Sequence, residues 1–245
     1  MLSPGNLGLR FLGAIQFLTT IPISRSTVPP HEAAPFFPLI GAGIGALSAL
    51  PLAFLPLPAP LSAALTLSLQ LILTGMLHED GLADISDGVR KGRAPERMFE
   101  IIKDPRIGSY GACTLILALL FRWQALSLIP PSPFVAVPTI AATESLSRCA
   151  ILWLGFLARP ARPGMGAWLS ESRSPFTLLS SLLFAAGWAL WAGPLPGLSL
   201  LLGLFLLALA ASLYFHARLG GVVGDCFGAL QQITVIYCLL VFLWP

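Results

Sequence analysis

The chain has 245 residues, of which 56% are apolar and only 10% charged, against roughly a quarter charged in an ordinary soluble domain. That composition argues against a water-soluble globule. The small basic excess, 14 Lys and Arg over 11 Asp and Glu for a formal charge of +3, suits basic loops beside a bilayer and carries no nucleic-acid footprint, because no basic stripe with interleaved aromatics is visible.

In chain order, residues 7–21 form a short apolar stretch that contains Arg10 and is closed by Pro22. Nothing after it reads as a signal-peptide cleavage site, so it is expected to stay in the protein as an interfacial or re-entrant helix. About 20 apolar residues cross the hydrocarbon as a helix, and seven stretches meet that length: residues 36–57, 61–77, 110–129, 134–157, 176–192, 198–214 and 225–244. Repeats and long polar linkers are absent. The expectation is an all-α, polytopic integral membrane helix bundle of about seven spans, with residues 1–245 as one membrane-embedded domain. Cys113, Cys149, Cys226 and Cys238 fall in or beside apolar segments without a zinc spacing, and read as packing residues.

Charge tests the register of these spans. The connections at 56–60, 130–133 and 193–197 hold no charged residue, whereas the alternate set holds Arg25, the cluster at 90–106, Arg159, Arg162, Arg173 and Arg218. Basic loops mark the cytoplasmic side. Residues 79–106 alone carry 13 charges, seven of them acidic, and sorting of basic loops does not call for acids.

Those acids follow the second span in the run His78-Glu79-Asp80-Gly81-Leu82-Ala83-Asp84-Ile85-Ser86-Asp87-Gly88. On a helix, Asp80, Asp84 and Asp87 stand at i, i+4 and i+7 and share one face. Like charges so stacked persist when a cation neutralises them, and an all-oxygen donor set suits Mg²⁺ or Mn²⁺; the alternative is a solvated acidic helix end. Gly81, Ala83 and Gly88 leave room for a ligand or a neighbouring helix.

Further on, Pro105 disfavours a helical Asp104, so Lys103-Asp104-Pro105-Arg106 should turn, offering Asp104 to a metal and Lys103 and Arg106 to phosphates, or else touching lipid head groups. Glu96, Arg97 and Glu100 read as a solvated helical face. Three charges fall inside spans, Arg122, Glu144 and Arg148, where an ionisable group costs about 2.5–3.5 kcal/mol to insert. Glu144 and Arg148 are one turn apart and can pair, yet Arg148 lies nearer the cytoplasmic end and is read as a substrate contact. The last cytoplasmic turn, Leu219-Gly220-Gly221-Val222-Val223-Gly224-Asp225, opens a helix whose backbone amides, at Gly224, can face an anion, and Asp225 can complete a metal site from across the bundle. His31 and His216 are read as structural.

With these residues in place, the sequence resembles the cobalamin synthase family, the adenosylcobinamide-GDP ribazoletransferases. The resemblance runs from Phe17-Leu18-Thr19-Thr20-Ile21-Pro22 and Phe37-Pro38-Leu39-Ile40-Gly41 through His78-Glu79-Asp80-Gly81-Leu82-Ala83-Asp84, Asp87-Gly88 and Asp104-Pro105-Arg106-Ile107-Gly108 to Gly224-Asp225 and Gly228-Ala229. Three positions depart from the family pattern: Pro105 stands where Ser is commoner, and Val223 and Val235 replace a Thr and a Glu. The Asp-Gly-x-x-Ala core is also similar to that of CDP-alcohol phosphotransferases, but Asp84 occupies the place of their Arg.

The resemblance implies a Mg²⁺-dependent transfer at the inner membrane, facing the cytoplasm, in which a hydroxyl of α-ribazole, or of its 5'-phosphate, displaces GMP from adenosylcobinamide-GDP. It implies metal ligation by Asp80, Asp84, Asp87 and Asp225, a metal or general-base role for Asp104 with His78 as the other candidate base, and phosphate binding by Lys103, Arg106, Arg148 and Gly224. A homo-oligomer is compatible with the sequence. A secondary transporter, with acids near the bilayer midplane, and a lipid-directed CDP-alcohol phosphotransferase are the competing readings.

Overall fold

The structure, a computed structural model, describes residues 4–23, 28–171 and 173–244, which fold into thirteen helices. In order these are α1 (Pro4–Leu18), α2 (Pro30–Ala33), α3 (Phe37–Ser48), α4 (Leu50–Phe54), α5 (Ala59–Thr74), α6 (Leu77–Gly88) and α7 (Pro95–Ile102). They continue as α8 (Ser109–Leu128), α9 (Pro133–Leu157), α10 (Met165–Glu171), α11 (Pro175–Ala192), α12 (Pro194–Leu219) and α13 (Gly224–Leu243). No strand forms among the described residues; Pro160 and Val222 make one isolated bridge. Proline punctuates the chain: Pro95, Pro133, Pro175 and Pro194 each open a helix, where the missing N–H has no partner to lose and φ is already helical.

Five helices, α8, α9, α11, α12 and α13, are long and apolar enough to cross a membrane, and the bent pair α5 and α6 makes six if counted as one span. This replaces the seven expected. Residues 36–57 do not form one long helix: they divide into a 3₁₀ turn (Ala34–Phe36), α3 and α4, neither of which reaches spanning length. The second expected span ends at Thr74, where Gly75 (φ 61°) and Met76 (φ 60°) both adopt left-handed conformations and turn the chain by 88° into α6. Within residues 7–21, Leu7–Leu18 is an apolar helix shorter than the spanning helices.

The central helix is α9, packed by α3, α11, α12 and α13. Its polar residues Thr139, Thr143, Glu144, Ser145, Ser147 and Arg148 are all buried, whereas α8, α11 and α12 turn leucines outward, as a lipid-facing surface requires. The uncharged connections gather at one end. There Ala53, Ala63, Ile129, Ala136 and Leu239 share one apolar cluster, and Trp191 meets Phe242 with ring centroids 5.8 Å apart. At the other end the charged segments meet: Arg90 donates to the Tyr110 hydroxyl at 2.7 Å, and Arg162 lies over the Phe99 ring. Arg25 lies outside the described residues. All four cysteines are free, with Cys149, Cys226 and Cys238 buried as packing residues and Cys113 exposed.

Candidate active site

At the charged end, α6 and α13 cross at two glycines. A Cβ on Gly81 would come within 3.0 Å of the Asp225 carbonyl oxygen, and one on Gly228 within 3.1 Å of the His78 carbonyl oxygen. Only two residues without side chains allow this approach, and it brings the start of α6 against the first turn of α13. The small residues of the His78 to Gly88 run therefore serve the helix contact expected of them.

Beside that crossing lies a cleft of about 330 Å³. His78 and Asp80 reach it from α6, Asp225 and Gly224 from α13, and Lys103 from the end of α7. The far wall is Arg162 with the segment through Met165, and the floor is apolar, with Phe37, Phe99 and Phe227. Five of the ten residues singled out in the sequence are thus brought together. The pattern of a few convergent polar groups over an apolar floor is that of a small-molecule site.

Asp84 sits one turn beyond Asp80, outside the cleft lining, but within electrostatic reach of Asp80, Asp87 and Asp225. Among the described residues, none of Asp80, Asp84 and Asp225 is paired with a cation. No group of three or more His, Cys, Asp or Glu side chains is close enough to enclose a metal ion among the described residues. That is compatible with Mg²⁺, which keeps several waters and is held by one or two carboxylates together with substrate phosphates. The donor set, unpaired carboxylate oxygens without sulfur, fits such an ion.

The other residues expected here are placed elsewhere. Asp87 is occupied by backbone: its two oxygens accept the N–H groups of Gly108, at 2.7 Å, and Gly111, at 2.9 Å, so it caps α8. A carboxylate at a helix N-terminus satisfies orphan amides and opposes the dipole, which accounts for an aspartate at this position without a metal.

Asp104 and Arg106 occupy each other. The Arg106 guanidinium donates to both carboxylate oxygens, at 2.9 and 2.7 Å, and its backbone N–H donates to Oδ1 at 3.0 Å, closing the turn that Pro105 was expected to impose. This pairing holds the Asp104 carboxyl down to about 2. Both residues lie outside the cleft, so the base and phosphate roles expected of them lack the geometry. Glu96, Arg97 and Glu100 are solvated as read, with Arg97 and Glu100 paired at 2.7 Å on the surface.

Arg148 is the clearest correction. It is fully buried and donates to the Glu144 carboxylate, to the Glu144 carbonyl at 3.2 Å and to Ser147 at 3.0 Å, so it is a partner of Glu144 and not a contact of the cleft. The pair belongs to a larger network. Arg122 donates to Glu79 at 2.6 Å, to Gln232 at 2.8 Å and to Gln70 at 3.0 Å, and lies 3.9 Å from Glu144. Gln232 also donates to Glu79 at 2.9 Å. Two acids and two arginines buried together compensate one another and join α5, α6, α8, α9 and α13. Sequence reasoning marked three of these four charges as intramembrane but missed Glu79, because a Glu at the end of an apolar run looks solvated.

Val235, where the family pattern has Glu, is buried in the apolar cluster at the uncharged end. Its departure leaves the cleft untouched. Val223, by contrast, lines the cleft at the entry to α13.

An all-helical, multi-pass membrane protein with one polar cleft at the charged end of its bundle is the class that fold and site define. Within that class, residues 10–243 match the sequence profile of the family described as cobalamin-5-phosphate synthase, and the chain belongs to that family. It is 35% identical to the adenosylcobinamide-GDP ribazoletransferase of Shewanella frigidimarina, over 95% of this chain and 93% of that one. It is 35% identical to the protein of the same name from Vibrio parahaemolyticus, over 94% and 91%, and 39% identical to that of Rhizobium johnstonii, over 91% and 92%. No solved structure matches the chain.

Proposed function

We propose that the chain is a transferase acting at the inner membrane, with its cleft facing the cytoplasm, that joins α-ribazole, or its 5'-phosphate, to the cobinamide phosphate of adenosylcobinamide-GDP and releases GMP. The observation that carries this reading is the convergence of His78, Asp80, Asp225 and Lys103 on one cleft, in a chain that covers nine-tenths or more of relatives bearing that activity in their names.

Phosphoryl transfer asks a protein mainly for positioning and charge neutralisation. The ribazole hydroxyl oxygen forms a bond to the cobinamide-side phosphorus, and the bond from that phosphorus to the oxygen of GMP breaks. His78 is the proposed acceptor of the hydroxyl proton, on a ring nitrogen; its place in the cleft lining supports this role. Lys103 offers an ammonium to the phosphates, and the first-turn amides of α13 at Gly224 face the same space. Asp80 and Asp225, with Asp84 behind them, would hold Mg²⁺, which supplies charge neutralisation on the diphosphate when bound. The phenylalanine floor keeps water from the reacting oxygen and offers a flat apolar surface to the base.

Transport is less well supported, because the deep charges are committed to one another and the unpaired acids lie at the charged end. The test is direct: purified full-length protein in nanodiscs, given adenosylcobinamide-GDP, α-ribazole and Mg²⁺, should release GMP in step with cobamide formation. Absence of GMP with either form of ribazole would overturn the proposal.

A further inference from the structure

The cleft contains a cation that the sequence offered only as a marker of sidedness. Arg162 follows α9 in a segment with no helix of its own, yet its position is fixed. Val222 donates its N–H to the Arg159 carbonyl and Ala161 donates its N–H to the Val222 carbonyl, both at 2.9 Å. The two segments of this bridge are so close that a Cβ on Gly221 would lie 2.5 Å from the Arg159 oxygen. The segment is thereby tied to the chain that enters α13, two residues before Gly224 and three before Asp225.

The guanidinium itself lies over an aromatic ring. Its central carbon lies 3.9 Å from the centroid of the Phe99 ring, on the helix whose last turn leads to Lys103. Among the described residues Arg162 has no carboxylate partner, although Asp80 and Asp225 line the same cleft. A cation–π contact restrains a guanidinium without using its N–H donors, which leaves them available to an oxyanion. The arginines that the sequence favoured for this task are both otherwise occupied, Arg106 by Asp104 and Arg148 by Glu144.

We propose that Arg162, lying over Phe99 and lining the same cleft as Lys103, is the arginine that grips a phosphate group of the substrate. This rests on the transferase reading for the identity of the substrate, but the anion site itself does not. The shared chemistry is a phosphate oxyanion, and near a membrane it has two sources: a diphosphate entering from water, or a lipid head group. We assign the first, because Arg162 lines the same cleft as His78, Asp80, Lys103 and Asp225.

Full-length protein in phosphatidylcholine nanodiscs should be titrated calorimetrically with inorganic pyrophosphate, without turnover. Arg162→Gln should weaken binding about tenfold, the loss of one good charged contact, and Arg162→Lys should fall between, because the charge remains but the fork is lost. Arg97→Gln, which removes an exposed cation of α7 paired with Glu100, serves as control and should bind as the parent does. In turnover assays Arg162→Gln should raise KM for adenosylcobinamide-GDP more than it lowers kcat. Equal pyrophosphate affinity in the parent and Arg162→Gln would overturn the proposal. So would unchanged pyrophosphate affinity with a loss, in the variant, of stabilisation by phosphatidylglycerol, since the cation would then serve lipid. Pyrophosphate binding that depends on Arg162 in a protein that releases no GMP would sink the transferase reading and leave the anion site standing.

Discussion

Arg122 donates to Glu79 at 2.6 Å in a part of the bundle that water does not reach, and Glu79 stands between His78 and Asp80, both of which border the cleft. The pair therefore ties the functional helix α6 to the spanning helix α8. Arg122→Ala leaves Glu79 buried and unpaired, a loss of about 3–5 kcal/mol, so the yield of folded protein should fall. Arg122→Gln combined with Glu79→Gln should restore much of the thermal stability, because two neutral amides replace two charges. A double variant no more stable than Arg122→Ala would show that the pair is not the connection.

The buried partner pair of α9 admits a parallel test. Arg148→Ala should lower expression and activity together, and adding Glu144→Gln should recover both, because no charge is then stranded. Recovery of expression without activity would return Arg148 to the substrate.

The acids near the cleft divide into two kinds. Asp80→Asn and Asp225→Asn should each lower turnover roughly 10²-fold, as loss of a positioned electrostatic group does, and raise the Mg²⁺ concentration for half-maximal rate while folding is kept; Asp84→Asn should do so to a lesser degree. Asp87→Ala should instead lower stability by about 1 kcal/mol, as the loss of a helix cap does, with little change in Mg²⁺ dependence. A normal melting temperature for Asp87→Ala, together with a lost metal response, would reverse this assignment.

The pH response of the Asp104 turn has a definite sign. Its carboxyl is held down to about 2 by Arg106, so any contribution to stability is complete above the unfolded value near 3.9 and fades as pH falls toward about 2. Through the neutral range it stays ionised and cannot titrate with catalysis. Asp104→Asn should leave the shape of the pH–rate profile unchanged between about pH 5 and pH 9. A limb of the profile that vanishes in this variant would make Asp104 the base.

Sidedness can be read with thiol reagents. After replacement of the exposed Cys113, cysteines at Lys91 and Arg162 should label from one side of the membrane only, and cysteines at Pro131 and Pro196 only from the other. Labelling of the Lys91 and Pro131 positions from the same side would break the assignment of the two ends.

What the sequence disclosed, and what it withheld, follows from the range of each interaction. Long apolar runs declare themselves, so α8, α9, α11, α12 and α13 were legible with boundaries close to those found. The break at Gly75 and Met76 was not, because a left-handed methionine leaves no mark in an apolar window. At the site, spacing placed Asp80 and Asp84 on one face of a helix, and topology placed Asp225 on the same side of the membrane. Pairing was invisible, since whether Asp87 meets amides, Arg106 meets Asp104 or Arg148 turns away from the cleft depends on neighbours that the local sequence does not specify. Arg162 was hidden for the same reason: the tether of its neighbours Arg159 and Ala161 to Val222, and its own contact with Phe99, bring it to the cleft.

The contact of Gly81 with Gly228 has a consequence for biogenesis. The two glycines are separated by more than half of the length given by residues 1–245, and the later one belongs to a helix that leaves the ribosome well after α6. While the earlier helices are being inserted, His78 and Asp80 are without the surface of α13 that completes their cleft. The cleft is complete only when α13 is inserted and closes against α6, so a chain interrupted before Gly224 lacks Asp225 and the wall to which it belongs.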